Sequence, residues 1–267
     1  MTTLSKLGNL KGRCALITGA AGGLGQIFSE TLSELGADLI LVDLPETDLG
    51  GLAERLKEGW GVSVESAFCD LENVEQRSEL IKRVITSNRG LNVLVNNAAL
   101  VGSSDLEGWS VPFEEQSINT WKRAIEVNLT AVFHLCQGLF PSMKNAEGAN
   151  IVNIASIYGS HAPDWSIYQN SKMGNPAAYA VAKGGLIQLT RWLATTIAPS
   201  VRVNSISPGG VLRGQPEAFQ TRYISRTPLK RMADKDDLRG ALAYLASDMS
   251  SYVTGHNLEV NGGWGAW

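Results

Sequence analysis

Seven apolar runs recur along the chain, at 14–18 (CALIT), 38–42 (DLILV), 62–68, 92–95 (NVLV), 151–155 (IVNIA), 201–206 (VRVNSI) and 257–260. Longer segments separate them, with apolar residues at the 3.6-residue spacing of amphipathic helices. Strands that are apolar at nearly every position need cover on both faces, and helices between them supply it through right-handed crossovers. The pattern therefore predicts a doubly wound α/β fold: a seven-stranded parallel sheet with helices on both faces, a three-layer sandwich. No internal repeat, low-complexity stretch or Pro/Gly linker divides the 267 residues, so one domain over 1–267 is expected. The least regular segments, 159–175 and 212–228, are expected as loops above the carboxyl edge of the sheet, where open α/β sheets bind ligands.

Composition narrows the function classes. A net charge of −3 with both signs interspersed leaves no basic footprint for nucleic acid. No apolar run approaches the roughly 20 residues that span a bilayer, and the N-terminus MTTLSKLGNLKGR lacks a signal-peptide core. Nucleic-acid and membrane partners are not expected, and a cytoplasmic location is. Cys14, Cys69 and Cys136 are odd in number and set in apolar surroundings, which reads as small buried hydrophobes in a reducing compartment. His134, His161 and His256 lie far apart without Cys or His partners at ligand spacing, so no metal site is expected.

The first strand runs into Thr18-Gly19-Ala20-Ala21-Gly22-Gly23-Leu24-Gly25, and a helical segment follows at once. Glycines at Gly19, Gly23 and Gly25 let a backbone approach a pyrophosphate, and the N–H groups of the helix start favour its charge. Alone, such a cluster also suits a tight strand-to-helix turn. Asp43, at the end of the second strand and 24 residues beyond Gly19, adds a carboxylate able to accept from ribose hydroxyls. That charge would repel a 2′-phosphate, and no Arg or Lys nearby attracts one. NAD is expected over NADP.

Two tyrosine–lysine pairs at four-residue spacing, Tyr168/Lys172 and Tyr179/Lys183, stand within SIYQNSKMGNPAAYAVAK. A phenol serves as acid or base only if its pKa near 10 is brought toward the working pH. An ammonium about 4 Å away, at an effective dielectric near 20, supplies on the order of 4 kcal/mol, or roughly three pKa units. Residues four apart share a face only on a stable helix. Gly174 and Pro176 interrupt any helix after Tyr168, whereas about five proline-free turns follow Tyr179, whose first turn Pro176 suits. Tyr179 and Lys183 are the expected catalytic pair.

The glycine turn, Asn96-Asn97-Ala98-Ala99, Asn128 in EVNLTAVF, Ser156 in NIVNIAS, Tyr179 with Lys183, and Pro208-Gly209-Gly210 together resemble the short-chain dehydrogenase/reductase family, in that family's order across nearly the whole chain. The resemblance implies catalytic roles for Asn128 (a water relay), Ser156 (donating to the substrate oxygen), Tyr179 (acid/base) and Lys183, which also holds the nicotinamide ribose. It implies cofactor contacts from Gly19, Gly23, Leu24, Gly25, Asp43, Asp70, Leu71, Asn97, Pro208, Gly209 and Val211, and a homo-oligomer, dimer or tetramer. The chain departs from the family in reading NNAA for the usual NNAG. It also has Val211-Leu212-Arg213 where a threonine often follows the Pro-Gly turn.

Ser156 and Tyr179 are 23 residues apart, against about a dozen in the family, so roughly ten residues must project over the site. That insert carries His161, Asp164, Trp165, Tyr168, Gln169, Asn170, Lys172 and Asn175, which suits a hydroxylated or charged substrate; a solvated loop or oligomer contact is the competing account. Met173, Trp165, Trp264 and Trp267 read as packing rather than recognition. The segment 213–228 is expected as a lid, its Arg213, Arg222 and Arg226 meeting a phosphate or carboxylate; a solvated surface helix is the competing account. Tyr168 and Arg213 are the expected substrate contacts. The reading is an NAD-dependent oxidoreductase interconverting a secondary alcohol and a ketone. The insert and the ending NLEVNGGWGAW are similar to bacterial members associated with flagellin-glycan and amino-sugar pathways, which suggests a sugar or sugar phosphate. Two alternatives stay open, a 3-ketoacyl-carrier reductase and a non-catalytic dinucleotide sensor. Enoyl reductase is disfavoured because seven residues after Tyr179 stands Leu186, not lysine.

Overall fold

A parallel sheet orders the chain in the computed structural model, which describes residues 2–87, 89–102 and 104–266. Its strands are β1 (Cys14–Thr18), β2 (Asp38–Asp43), β3 (Val64–Phe68), β4 (Val93–Asn96), β5 (Asn150–Ile154), β6 (Arg202–Pro208) and β7 (Asn257–Val260), in the order β3-β2-β1-β4-β5-β6-β7. The helices are α1 (Leu4–Leu7), α2 (Gly23–Glu34), α3 (Gly50–Trp60), α4 (Val74–Thr86), α5 (Ile118–Ile125), α6 (Ala131–Met143), α7 (Ala177–Thr196), α8 (Glu217–Arg226) and α9 (Arg239–Ala246). Each expected run is a strand, with edges moved by one or two residues.

Alternation along the strands builds two cores. Leu16, Ile40, Leu94, Ile151 and Val203 face α4, α6 and α7, where they meet Leu80, Leu135, Leu139 and Leu186. Ala15, Ile17, Leu39, Leu41 and Val95 face the other way, onto Phe28, Leu32, Leu56 and Leu242 of α2, α3 and α9. Both faces are therefore covered, which explains why the central strands β1, β4 and β5 are buried at every position. Cys14, Cys69 and Cys136 are free and buried, and burial pushes their thiols up to about 11, 11 and 12. No helix among the described residues is long and apolar enough to cross a membrane.

The strand order reverses between β1 and β4, so the loops leaving these two neighbours diverge and open a crevice at their carboxyl ends. Thr18 and Asn97 lace its floor. The Thr18 hydroxyl accepts from the N–H groups of Asn97 and Ala98, each at 3.1 Å, and the Asn97 amide donates to the carbonyls of Thr18 (2.9 Å) and Gly19 (3.0 Å).

Above the crevice the structure corrects one expectation. Segment 212–228 is not irregular: α8 occupies most of it and buries Phe219 and Tyr223, an i,i+4 pair, in a cluster with Ile157, Ile167, Tyr168, Met232 and Trp264. Two aromatic residues on one turn carry a helix that is otherwise polar. Trp264 is buried and stacks on Tyr223 with ring centres 4.3 Å apart, and Met173 packs against the cluster, as packing roles require. Trp165 is 58% exposed and leans on Tyr168 at 5.8 Å. Trp267 lies outside the described residues.

Candidate active site

The glycine turn shows two different demands on its glycines. A Cβ at Gly25 would lie 1.9 Å from the Gly19 carbonyl oxygen, so Gly25 lets α2 start against the strand, and Gly19 itself sits at φ +65°. At Gly23 a Cβ would meet nothing of the protein within 4 Å, and this residue faces a cavity of about 1310 Å³. The N-cap of α2 is Gly22, which offers no side-chain acceptor, so the first N–H groups of the helix are left for a ligand. Leu24 lines the same wall.

Asp43 closes β2 beside this turn. One carboxylate oxygen accepts from the Ala21 N–H at 2.8 Å, and the other from the Leu44 N–H and the Thr47 hydroxyl. The residue thus braces the turn as well as facing the cavity. Asp70 and Leu71 follow β3 on the same wall, where Asp70 accepts from the Glu72 N–H at 2.9 Å. Pro208, Gly209 and Val211 leave β6 on the opposite side; the Gly210 N–H donates to the Tyr223 hydroxyl, and Val211 pairs with Ala233. An uncapped helix start, a carboxylate at the end of β2 and an apolar wall at Leu71 fit an adenine dinucleotide. Gly19, Gly23, Leu24 and Gly25 would hold its pyrophosphate, Asp43 its ribose, and Asp70 with Leu71 its adenine.

Ser156, Tyr179 and Lys183 converge on the middle of the cavity. Ser156 lies two residues past β5, not within it, as N-cap of the short turn Ile157–Gly159, with its hydroxyl accepting from the Tyr158 N–H at 3.2 Å. A Cβ at Gly159 would come within 2.7 Å of the Lys183 backbone, so glycine there allows the strand end to press on α7 and brings serine and phenol together. Pro176 is the N-cap of α7, and Tyr179 stands in its first turn.

The electrostatics differ from the sequence expectation. Burial raises the Tyr179 phenol above its ordinary value; the Ser156 hydrogen bond and the charge of Arg213 only hold it back. Lys183 is 3% exposed, donates to the Ile154 carbonyl at 2.6 Å, and is pulled down to about 8 by burial. Its Nζ lies 5.7 Å from the centre of the phenol ring. In the protein alone burial therefore prevails at both groups, because the desolvation that surrounds the pair disfavours both charged forms.

Asn128 is in a π-turn, Glu126–Thr130, between α5 and α6. Its amide donates to the Leu100 carbonyl at 2.9 Å and accepts from the Leu100 N–H at 2.7 Å, and the residue is 1% exposed. The side chain is spent on the loop after β4 and does not reach the cavity wall. Asn97 does, bracing the turn from the β4 side.

Tyr168 closes the turn Trp165–Tyr168, and Asn170 follows at φ 57°, so Lys172 does not share a helical face with it. Both residues nevertheless line the cavity. The Tyr168 and Tyr158 hydroxyls are 2.6 Å apart. Tyr158 was not anticipated; its position two residues past Ser156 was the available signal. Arg213 faces the cavity, whereas Arg222 and Arg226 turn away from it, to the Gln169 carbonyl and to Asp164 at 2.8 Å. These two arginines join α8 to the insert rather than meeting a ligand.

The family model described as enoyl-(acyl carrier protein) reductase matches residues 19–265. The chain is 31% identical over 259 residues to a 3-oxoacyl-(acyl-carrier-protein) reductase of Thermotoga maritima, covering 95% of this chain and 98% of that protein. It is 32% identical over 257 residues to the trans-4-hydroxycyclohexanecarboxylate dehydrogenase of Sinomonas cyclohexanicum, covering 94% and 92%. A gluconate 5-dehydrogenase of Burkholderia cenocepacia, solved with NADP and tartrate, superposes with a TM-score of 0.87 at 27% identity over 99% of this chain and 100% of that one. The chain belongs to the short-chain dehydrogenase/reductase family, and it is an oxidoreductase acting on CH–OH groups.

The glycines separate by substitution. Gly25→Ala is expected to destabilise the fold by about 3 kcal/mol or more, because a backbone oxygen blocks the methyl group. Gly23→Ala should leave stability unchanged or raise it by up to about 1 kcal/mol, while weakening dinucleotide binding at least tenfold. Denaturant melts and fluorescence titration read the two effects. A second expectation concerns alkali. Tyr168 and Tyr223 are raised by burial from 10 to about 12, so above pH 10 the unfolded chain releases protons that the folded protein keeps, and stability falls as pH rises. Tyr223→Phe should lower the urea midpoint at pH 9 but make its decline from pH 9 to 11 shallower; an unchanged slope would refute the assignment.

Proposed function

We propose that the protein is an NAD-dependent dehydrogenase that interconverts a secondary alcohol and a ketone on a polar substrate, such as a sugar, sugar phosphate or sugar acid. One observation carries the reading: Ser156, Tyr179 and Lys183 line the same cavity as the glycine turn and Asp43. Bound NAD supplies the hydride acceptor. In the reductive direction the Tyr179 phenol, kept protonated by burial, gives its Oη proton to the substrate oxygen; in the oxidative direction it must first lose that proton and, as the phenolate, takes the hydroxyl proton, while Ser156 Oγ donates to the same oxygen and fixes it. Lys183, with its Nζ 5.7 Å from the phenol ring centre, would hold the nicotinamide ribose of a bound cofactor, and backbone from Pro208 to Val211 would meet the carboxamide. Asn128 acts by position, fixing Leu100 on the floor of the site, rather than by touching substrate.

NAD is preferred because Asp43 presents a carboxylate to the ribose, and neither the glycine turn nor residues 43–47 supply an Arg or Lys for a 2′-phosphate. Tyr168, Lys172 and Arg213 support a polar substrate, as do relatives named for a hydroxycyclohexanecarboxylate and for gluconate. A 3-oxoacyl-carrier reductase is the second reading, favoured by the Thermotoga relative; faster turnover of acetoacetyl-carrier thioester with NADPH than of any polar alcohol with NAD would select it. The protein is further read as a cytoplasmic homo-oligomer, supported by the exposed Val181 and Trp192 on α7.

A survey of alcohol and sugar oxidation with NAD tests the reading. Tyr179→Phe should lower kcat/KM by 10²–10⁴-fold, the range of general acid–base catalysis, while NAD still binds. Activity within a few-fold of wild type, with Tyr168→Phe inactive, would reverse the choice of pair, and retained physiological output without turnover would favour a sensor. Asp43→Ala should narrow the NAD/NADP ratio of kcat/KM by about tenfold, the size of one charge-assisted hydrogen bond. An unchanged ratio would mean that the carboxylate does not meet the ribose.

A further inference from the structure

Among the described residues, four side chains keep a buried polar atom without a hydrogen-bond or ion-pair partner: Ser33, Asn96, Asn150 and Asn175. Asn175 differs from the other three in two ways. Both ends of its carboxamide are unpaired, and it alone lines the cavity. The residue is 6% exposed, so bulk water does not satisfy it freely. Buried amides are nearly always paired, and one left unpaired on the wall of a reactive site marks where a ligand supplies the partner.

Its place in the chain ties it to the reacting centre. Asn175 directly precedes Pro176, whose carbonyl accepts from the N–H groups of Tyr179 (3.0 Å) and Ala180 (3.3 Å), while the Ala177 N–H is held by Gln116 Oε1 at 3.1 Å. The carboxamide is therefore fixed to the corner from which the phenol projects.

We propose that Asn175 is a specificity-determining residue that binds a second hydroxyl of the substrate, so that the site selects polyols over simple secondary alcohols; this rests on the dehydrogenase reading above. A carboxamide presents N–H donors at one end and an acceptor at the other, and a hydroxyl is the small group that can both accept and donate. A carboxylate would leave Asn175 Oδ1 unpaired, and an ammonium would leave Nδ2 unpaired. The Tyr158–Tyr168 pair adds to the same selection: one phenolic proton lies between the two oxygens, and the other remains to be donated.

The test compares NAD-dependent oxidation of trans-1,2-cyclohexanediol with that of cyclohexanol. Wild type should favour the diol at least tenfold in kcat/KM, and Asn175→Leu, close in shape but apolar, should reduce that preference at least tenfold. Asn175→Ser, which restores a donor and acceptor, should recover part of it. The free Leu variant should melt at the same temperature as wild type or higher, because it removes an unpaired buried amide. A diol preference within twofold of wild type in Asn175→Leu overturns the proposal, whatever the melting temperature. If wild type oxidises neither alcohol, calorimetric titration of the NAD-loaded protein with the two still decides, and the dehydrogenase reading itself fails only if the survey of alcohols and sugars also shows no NAD-dependent oxidation. Tighter diol binding in wild type than in Asn175→Leu upholds the role; equal binding overturns it.

Discussion

Four hydrogen bonds between Thr18–Gly19 and Asn97–Ala98 hold the structure at the point where its topology would otherwise split. A parallel sheet whose order reverses must send the loops after two adjacent strands in opposite directions. The crevice so formed is useful only if its floor is rigid. One threonine hydroxyl and one asparagine amide satisfy the backbone groups exposed there, and the glycine turn, the loop after β4 and the serine beyond β5 take their positions from that floor. The two cores beneath it are ordinary aliphatic packing, and they matter to the site mainly by keeping β1, β4 and β5 level.

Burial dominates the charges at the site. Lys183 and Tyr179 are close enough to interact, yet water is excluded from both, so the lysine is pulled down to about 8 and the phenol is raised. The charge that reaches the phenol from within the chain comes instead from Arg213, on the loop after β6. This arginine replaces part of a family motif, so a residue that looked like a departure contributes to the electrostatics of the reacting group.

Much of the architecture was legible in the sequence because its signals are local. Seven apolar runs gave seven strands, Gly174 and Pro176 were enough to show that Tyr168 and Lys172 share no helix, and the glycine turn announced its own. What stayed hidden depends on contacts between distant segments. The two-residue aromatic face of α8 has no meaning until Tyr168 and Trp264 are beside it. Asp43 could be read as a ribose ligand, but its bond to the Ala21 N–H exists only because β2 lies next to β1. Asn128 was legible as a polar residue in a helix, while the use of its amide by Leu100 required the loop after β4. The sign of the Tyr179 shift was out of reach for the same reason, since spacing shows who is near but not how much water remains.

The aromatic cluster over the crevice is separate from both cores of the sheet. It is built from the insert, α8 and the C-terminal segment, and it touches the machinery below through Ile157, the neighbour of Ser156, and through the Tyr223 hydroxyl, which accepts from the Gly210 N–H. A roof with its own small core can be repacked without disturbing the foundations. New side chains at Tyr168, Phe219 or Trp264 would therefore reshape what the crevice admits while the two aliphatic cores hold the sheet as it is.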